Sequence, residues 1–403
     1  MREAGQQMND HHPGSGGDDV RRRNLSAVLA QVHTRREVAR SQITRATGLS
    51  RSSVATQVGE LIAAGLLRES AAGESTGVGR PSPVVSPTGR FLAVAVNPDV
   101  DGVSVALCAL GGQIVAQTKR ASSSLMNPAE AARLAAEALE ELTADRPDAV
   151  LLSVTAAIPG RIDIARDRVA VAPHLQWHDV PFSAMLEAAT GLPTTSHPDA
   201  TIGLEAERLW GAAEGLDDAV YFYGGPGGIG GAAMVGGQVL AGRVGAAARL
   251  GHLIVAPDGP LCVCGSVGCL TTMVSFHQLA AAFGVTSGSL DDLKAAIETE
   301  TSTTLRGFLD RELEYVGRAL RTAISTYDPA LILLGGFFAV LFEVGGEQLL
   351  GSIAPDNLSS LRSPAVLGTP ALGVDQLLIG AGAKGFEPLL HDPLGYAQRR
   401  ASA

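Results

Sequence analysis

Four potential metal ligands fall within eighteen residues in the second half of the chain: His252, Cys262, Cys264 and Cys269. Their spacing, His-x9-Cys-x-Cys-x4-Cys, lets a short loop fold back so that three thiolates and one imidazole surround a zinc ion as a tetrahedron. Two cysteines one residue apart do not easily form a disulfide with each other, which favours a metal over a crosslink. With four protein ligands, we expect a structural zinc without an open coordination position. The alternative is a loop that carries three free thiols.

The distribution of charge indicates two parts with different partners. Residues 21–90 contain eleven arginines and four acidic residues, whereas the whole chain has a formal net charge of −10. Residues 1–20 are polar and contain four acidic residues and one arginine, and we expect a disordered tail there. A basic domain joined to an acidic body indicates a polyanionic partner at one end only.

Length and hydropathy predict a chain of several domains without a membrane anchor. The 403 residues suggest two or three domains. The first residues lack an apolar signal core, and the longest apolar run, 331–342, is interrupted by two glycines and is shorter than a membrane span. We therefore expect a cytoplasmic protein.

The basic segment has the apolar pattern of a helix-turn-helix. A first helix is predicted from Asn24, because its apolar residues recur on one face. A second helix is predicted from a Ser41 cap to Gly48, and a third from a Ser50 cap to Gly65. Two helices joined by a turn of about four residues have helix-turn-helix geometry.

The third predicted helix carries short polar side chains and one guanidinium away from its apolar face: Arg51, Ser52, Ser53, Thr56 and Gln57. Hydroxyl groups suit phosphates, a glutamine suits an adenine edge, and an arginine suits a phosphate or a guanine. These residues predict contacts with double-stranded DNA. The alternative is a three-helix bundle without a nucleic-acid partner.

A glycine- and serine-rich stretch follows the third helix and contains Arg80 between a glycine and a proline. Such a thin, extended backbone can enter a narrow minor groove, where the guanidinium senses the negative potential. We therefore predict a DNA contact at Arg80. An ordinary linker arginine is an equal alternative.

From Phe91 onward, runs of β-branched residues alternate with alanine-rich helical patterns. Strands are predicted at FLAVAVNP, VSVALCAL, AVLLSVTAAIPG, DAVYFYGG and DPALILLGG, and a helix at AEAARLAAEALEEL. This alternation predicts an α/β body of two halves around a cleft.

Two stretches resemble the ROK family, named for repressors, open reading frames and sugar kinases. GH followed by CxCGxxGC resembles the family's zinc-binding signature, and LSRSSVATQVGELIAAGLL followed by GVGRPSP resembles the winged helix-turn-helix domain of its repressors. The resemblance implies an α/β protein with a winged helix-turn-helix domain at 21–89. An actin-like ATPase or sugar-kinase fold of two α/β lobes would follow at 90–390, with the zinc loop at 251–270 and a carboxyl-terminal tail at 391–403.

The phosphate-binding motifs that the resemblance leads one to expect are altered. The family's DxGxT loop is replaced by NPDVD at 97–101, where the proline removes an amide donor and two acids would repel phosphates. The second phosphate motif reads GGIG at 227–230 and lacks its threonine. We therefore expect neither catalytic residues nor a nucleotide cofactor.

The sugar-binding positions implied by the resemblance are altered as well. Pro198 and Thr271 replace an asparagine and a glutamate of the family, while Asp199 matches its catalytic base and His252 its histidine. Arg249 stands where a sugar-binding glutamate is expected. Asp199, Arg249 and His252 are the candidate effector-binding residues, although an aspartate before an alanine-rich run can equally cap a helix. Arg249 predicts an anionic ligand such as a sugar phosphate, unless it pairs internally with an acid such as Asp199.

Together these patterns predict a DNA-binding transcriptional regulator, a repressor of carbohydrate-related genes, that acts as a homodimer or tetramer on a palindromic operator. The degenerate kinase-like body would bind a sugar or sugar-phosphate effector. Two alternatives remain at this stage: a ROK sugar kinase with a DNA-binding extension, and a regulator that uses its altered cleft to dock another protein.

Overall fold

The computed structural model describes residues 15–70, 82–225, 227–353 and 365–402. The amino-terminal domain has three helices and three short strands: α1 (Ser15–Arg35), β1 (Val38–Ala39), α2 (Arg40–Thr47), α3 (Arg51–Ala63), β2 (Leu67–Ser70) and β3 (Val84–Pro87). Strand β3 lies between β1 and β2 and pairs antiparallel with both. Helix, turn and helix thus follow in the order predicted from the sequence, and the β2–β3 pair agrees with the winged domain that the resemblance implied.

Two helix starts differ from the predicted ones. Helix α1 begins at Ser15, so residues 15–20 are helical and do not belong to a disordered tail. Asp18 lies in its first turn, where a negative charge stabilises the helix dipole, and Arg21 forms a 2.7 Å ion pair with Glu60 of α3. Helix α2 begins at Arg40, one residue before Ser41. Its start is closed by the Gln42 side chain, whose Oε1 accepts the Ala39 backbone N–H at 2.9 Å, and not by a serine cap.

Helix α3 begins as predicted. The Ser50 hydroxyl accepts the Ser53 backbone N–H at 3.1 Å and satisfies one of the free amides at the helix start. The helix ends at Ala63, and Gly65 then adopts a left-handed φ of 73°. This conformation costs a glycine little and turns the chain into β2.

The first lobe of the body is a five-stranded sheet in the order β11-β7-β4-β5-β6, with a small three-stranded sheet β10-β9-β8 beside it. Its elements in chain order are β4 (Phe91–Asp99), β5 (Gly102–Ala109), β6 (Ile114–Ala121), α4 (Pro128–Thr143), β7 (Val150–Ile158), β8 (Arg161–Asp163), β9 (Arg168–Ala172), β10 (Trp177–Val180), α5 (Phe182–Thr190), β11 (Thr194–Pro198) and α6 (Asp199–Trp210). Helices α4 and α5 cover one face of the large sheet with apolar residues, and the buried Trp177 of β10 belongs to the same core.

The second lobe repeats this plan with the sheet order β14-β13-β12-β15-β16. Its elements are β12 (Ala219–Gly225), β13 (Gly228–Val235), β14 (Gln238–Val239), α7 (Leu270–Met273), α8 (Phe276–Ala282), α9 (Leu290–Thr299), α10 (Thr303–Tyr327), β15 (Leu331–Gly336), α11 (Phe337–Ser352) and β16 (Val366–Gly368). The chain closes with α12 (Gln376–Gly385), α13 (Glu387–His391) and α14 (Pro393–Ala401). The two α/β halves predicted from the sequence are therefore present.

The carboxyl-terminal segment is helical and packs against the amino-terminal domain, in contrast to the tail expected at 391–403. Phe386, Leu389 and Ala397 share one buried core with apolar residues of α1 to α3. The Tyr396 hydroxyl donates to the Leu152 carbonyl at 3.0 Å, which fixes α14 to strand β7. The sequence also contains a helix start that the expected tail overlooked, because the Asp392 side chain accepts the Gly395 backbone N–H at 3.2 Å and Pro393 follows at the first helical position.

His33 lies at the centre of the contact between α1 and the body. Its side chain is 3% exposed, and its Nδ1 accepts the Gly111 backbone N–H at 3.1 Å. The imidazole meets the Trp210 ring edge-on at 5.1 Å and lies 5.7 Å from the Phe386 ring. Burial lowers the pKa of His33 to about 4, so that the ring is neutral and its Nδ1 is free to accept.

We expect His33 to make the free energy of unfolding depend on pH. Its pKa in the folded chain lies below the ordinary value near 6.5, so as the pH falls the unfolded chain takes up the proton first. The stabilisation is complete above about pH 6.5 and is lost between about pH 6.5 and 4, by on the order of 3 kcal/mol. His33→Gln retains an acceptor for Gly111 but does not titrate, so its urea-unfolding free energy should fall less steeply over that range.

The exposed His178 provides the matched control, because His178→Gln should follow the unsubstituted chain. His197 is half-buried, and its pKa is likewise lowered to about 4 by desolvation, but it contributes equally to all three proteins. Equal pH slopes for His33→Gln and the unsubstituted chain would contradict this role of His33.

Candidate functional site

The four predicted metal ligands lie together on the loop between β14 and α7. Each offers one ligand atom, and these four atoms all lie within 4.8 Å of one another. The Cys262 sulfur is 3.5 Å from the His252 Nδ1, and the sulfurs of Cys264 and Cys269 are 3.5 Å apart. Ligands about 2.3 Å from a central ion in a tetrahedron stand roughly 3.8 Å from each other. The cluster thus has the size of a closed tetrahedral metal site.

The backbone of this loop is held by two short antiparallel bridges, Ile254 with Cys269 and Leu261 with Val267. Gly268 is required at the crossing point, because it has a φ of 69° and a Cβ atom there would lie 1.5 Å from the Ala256 carbonyl oxygen. The glycine therefore lets the two ends of the loop approach closely enough to bring the ligands together.

The cysteines of the cluster differ in how readily they ionise without a metal. Hydrogen bonds from Ser266 lower the pKa of Cys264 to about 7, whereas burial and the neighbouring thiols raise the pKa of Cys269 to about 12. Three thiolates at this separation repel one another, and a divalent cation would remove the repulsion and deprotonate the set.

A cleft of about 1220 Å³ lies between the two lobes, and Asp199, Arg249 and His252 all line it. The structure therefore brings the three candidate effector-binding residues together. Because His252 belongs to both the metal cluster and the cleft, the metal loop forms part of the cleft wall.

Asp199 is the first residue of α6, and its Oδ1 accepts the Ala200 backbone N–H at 2.6 Å. Burial and, to a smaller extent, the nearby Asp99 carboxylate raise the pKa of Asp199 to about 7, against the opposing effect of the Ala200 hydrogen bond. Near neutral pH, this carboxyl group can accept a proton from a ligand hydroxyl or donate a proton to it.

Arg249 is exposed and forms no ion pair with Asp199 or with any other described acid. It follows Ala248, which has a left-handed φ of 50°, and precedes a short 3-10 turn that contains His252. The guanidinium is thus available to a ligand in the cleft. The alternative of an internal pair with Asp199 does not agree with this structure.

The segment at the expected phosphate loop is a tight hairpin turn between β4 and β5. Its first polar side chain, Asn97, already donates to the Ala157 carbonyl at 2.8 Å. Burial raises the pKa of Asp99, and Asp101 forms a 2.6 Å ion pair with Lys119. The turn therefore presents acids, and no described hydroxyl or free amide pair, where a kinase would hold phosphates.

Most residues predicted for DNA contact lie on an accessible face. Arg51, Ser52 and Thr56 are exposed, and Ser53 is half-buried. The Ser52 and Ser53 hydroxyls both contact the Ser50 hydroxyl, at 2.9 and 3.0 Å, which orders the start of α3.

The structure corrects the prediction for Gln57, whose side chain is only 7% exposed. Its position follows Val54 by three residues and precedes Leu61 by four, which places it on the same helix face as these buried residues. Its Oε1 has no hydrogen-bond partner among the described residues. Arg80, the other predicted contact, lies outside the described residues.

The cleft also contains residues that the sequence patterns did not identify, among them His174 and Tyr223. Burial lowers the pKa of His174 and raises the pKa of Tyr223 above 10. His174 follows β9 of the first lobe and Tyr223 lies in β12 of the second lobe. Both line one cleft only because the two lobes pack against each other. No local spacing could have indicated them.

No helix in the described part of the chain is both long enough and apolar enough to cross a lipid bilayer.

Residues 94–344 match the model of the ROK family. The chain is 23% identical over 371 residues to the xylose repressor of Bacillus subtilis (strain 168), which covers 89% of this chain and 96% of that protein. It is 26% identical over 319 residues to a glucokinase of Thermotoga maritima, over 74% of this chain and 98% of that one. A crystal structure of a ROK family transcriptional regulator, a homologue of the E. coli MLC protein, superposes with a TM-score of 0.76 at 22% identity and covers 96% of this chain and 100% of its own.

Because Gln57 is buried, we expect it to contribute to packing and not to DNA recognition. Gln57→Leu should leave the DNA sequence preference unchanged and should not lower the melting temperature, because it replaces a buried amide whose oxygen lacks a described partner. Thr56→Val, a similar change at the exposed neighbour, serves as the comparison. A relaxed sequence preference for Gln57→Leu in a binding-site selection would mean that Gln57 leaves the core on DNA.

Proposed function

The chain belongs to the ROK family, and on that premise we propose that it is a DNA-binding transcriptional regulator, a repressor of carbohydrate-related genes, whose kinase-like body binds an effector. The observation that carries this proposal is the extent of the similarity to the xylose repressor. A match over 89% of the chain is longer than residues 90–403, so it reaches into the amino-terminal domain. The glucokinase match covers only 74%.

The accessible face of α3 supports the same function. Arg51, Ser52 and Thr56 are short or cationic groups at the beginning of a helix that follows a tight turn, as in helices that enter a major groove. In the proposed mechanism, a homodimer places two α3 helices in successive major grooves of an inverted repeat about one helical turn apart. Arg80 of each protomer enters the adjacent minor groove.

A sugar kinase is the second candidate, favoured by the similarity to the glucokinase. Phosphoryl transfer needs donors that cradle the phosphates and a general base near the sugar hydroxyl. Asp199 could serve as the base, but the β4–β5 turn offers Asp99 and Asp101 where phosphates would bind. We therefore propose that the protein does not transfer phosphate from ATP.

The effector is a sugar that carries a negative charge, such as a sugar phosphate. This part of the proposal is supported by Arg249, which is exposed in the cleft without a described acidic partner. The xylose repressor is named for a sugar, which supports a sugar in this cleft as well. The ligand changes DNA binding only if it binds one arrangement of the two domains better than the other.

The metal is a structural zinc held by His252, Cys262, Cys264 and Cys269. Three thiols and one imidazole are a donor set that zinc prefers, and four protein ligands leave no position for a substrate. Zinc would stabilise the loop that carries His252, and with it one wall of the cleft.

Binding-site selection with the purified chain tests the proposal directly. The selection is repeated with D-xylose, D-glucose, N-acetylglucosamine and the 6-phosphates of the two hexoses, and ATP consumption is measured with the same sugars. A short palindrome that a sugar phosphate releases is the expected result. ATP-dependent phosphorylation without any selected DNA would favour the kinase, and stoichiometric capture of a protein partner without selected DNA would favour a docking role. Melting-temperature shifts with neutral hexoses alone would refute the charged effector.

Arg51→Ala should weaken binding to all duplexes alike, because a phosphate contact carries little sequence information. The salt dependence, as the slope of log K against log salt concentration, should decrease by about one. Arg133→Ala removes an equally exposed arginine on α4 of the first lobe and should leave both quantities unchanged. An unchanged salt slope for Arg51→Ala, measured by fluorescence anisotropy, would exclude the phosphate contact.

Cys262→Ser should reduce the zinc content from about one per chain to a substoichiometric value, because one of four ligands is lost. Cys108→Ala is the matched control, since Cys108 is buried in the first lobe away from the cluster. Metal content is measured by plasma mass spectrometry after dialysis. Full zinc occupancy in Cys262→Ser would remove this assignment.

A further inference from the structure

Helix α6 extends from the cleft to the amino-terminal domain. Its first residue, Asp199, lines the cleft, and its last residue, Trp210, contacts α1. The helix is twelve residues long, which corresponds to a length of about 18 Å. A single rigid element therefore touches both proposed functional regions.

The cleft end of α6 is packed tightly against the second lobe. A Cβ atom at Gly230 of β13 would lie 3.2 Å from the Ala200 Cβ and 3.5 Å from the Asp199 Oδ1. One turn further along, a Cβ atom at Gly203 would lie 2.8 Å from the Tyr221 ring of β12. Because these contacts leave no free space, a movement of the second lobe relative to the first must move the start of α6 as well.

The last turn of α6 is fixed by Glu207, which is fully buried. Its Oε2 accepts the backbone N–H groups of Ala212 at 2.7 Å and Ala371 at 3.0 Å, and its Oε1 accepts that of Leu372 at 3.0 Å. These bonds tie the end of α6 to the segment that leads into α12. The carboxyl end of the helix is thus prevented from fraying and moves with the helix as a unit.

Trp210 joins the far end of α6 to the amino-terminal domain. Its Nε1–H donates to the Thr34 carbonyl at 3.0 Å, in the last turn of α1 just before β1 and α2. The His33 ring packs against the indole at 5.1 Å, and the Arg36 guanidinium lies 5.8 Å from its centre. On the other side, a Cβ atom at Gly112 would lie 2.4 Å from the indole ring.

We propose that Trp210 is a positioning residue: through α6 it couples the state of the cleft to the orientation of the DNA-binding helices. The displacement of α6 is passed by the indole N–H bond to Thr34, the point where α1 ends and the chain turns into α2. This role rests on the proposed function, since it describes a physical connection between the same cleft and the same DNA-binding domain. It does not depend on the chemical identity of the effector.

The coupling must be reciprocal, so DNA can be used to test it in place of an unidentified effector. The full chain is saturated with a duplex obtained by site selection, and hydrogen exchange is measured at the amides of 199–204, at the cleft end of α6. In the unsubstituted chain, DNA should change their exchange rates by about fivefold or more. In Trp210→Phe, which keeps a ring but lacks the N–H donor, this change should disappear at equal DNA saturation.

The second tryptophan of the chain provides the matched control. Trp177 also donates its Nε1–H to a backbone carbonyl, that of Met126 at 3.1 Å, but it is buried within the first lobe. Trp177→Phe loses the same kind of bond and should retain the exchange response to DNA. A response that survives in Trp210→Phe, or one that is lost equally in both variants, would overturn the positioning role.

The outcomes also separate this role from the proposed function. A chain for which no duplex is selected overturns the DNA-binding function, and the role of Trp210 with it. A chain that binds DNA but shows unchanged exchange at 199–204 keeps its function and overturns the role alone.

Discussion

The buried contact between α1 and the body joins the two domains through a shared core. His33 accepts the Gly111 amide, and Trp210 donates to the Thr34 carbonyl, so each side satisfies a polar group of the other inside an apolar core. The same core includes Phe386 and Leu389 from the end of the chain. A DNA-binding domain on a flexible linker could not sense the body, whereas one that shares a core with it changes its surroundings whenever the body changes.

The cleft lies in an architecture that this chain shares with a ROK family transcriptional regulator and a ROK family glucokinase of known structure. The sheets, the lobes and Asp199 at the start of α6 are retained, but the β4–β5 turn now contains acids and a proline. Arg249 is an exposed residue of the cleft lining and forms no ion pair with a described acid. An architecture that closes around a ligand remains useful for sensing, because sensing requires only a difference in affinity between two arrangements.

The metal loop contains the metal cluster and also forms part of the cleft wall. Gly268 permits the close crossing of the chain that gathers the cysteines, and His252 faces both the cluster and the cleft. A short loop of this composition has too little apolar surface to hold a shape by itself. Cross-linking by a metal would give the cleft wall a defined geometry and leave the rest of the second lobe to ordinary packing.

Local patterns in the sequence determined the metal cluster, the order of helices α1 to α3 and five strands of the two lobes, while the cleft residues Asp199 and Arg249 were implied by the family resemblance. Such patterns depend on spacing, caps and periodicity, which act over a few residues. Tertiary structure alone decided that Trp210 meets α1, that α14 packs against β7, and that His174 and Tyr223 line one cleft. Each of these outcomes depends on partners far away along the chain, and no local pattern records which distant surfaces will pack together.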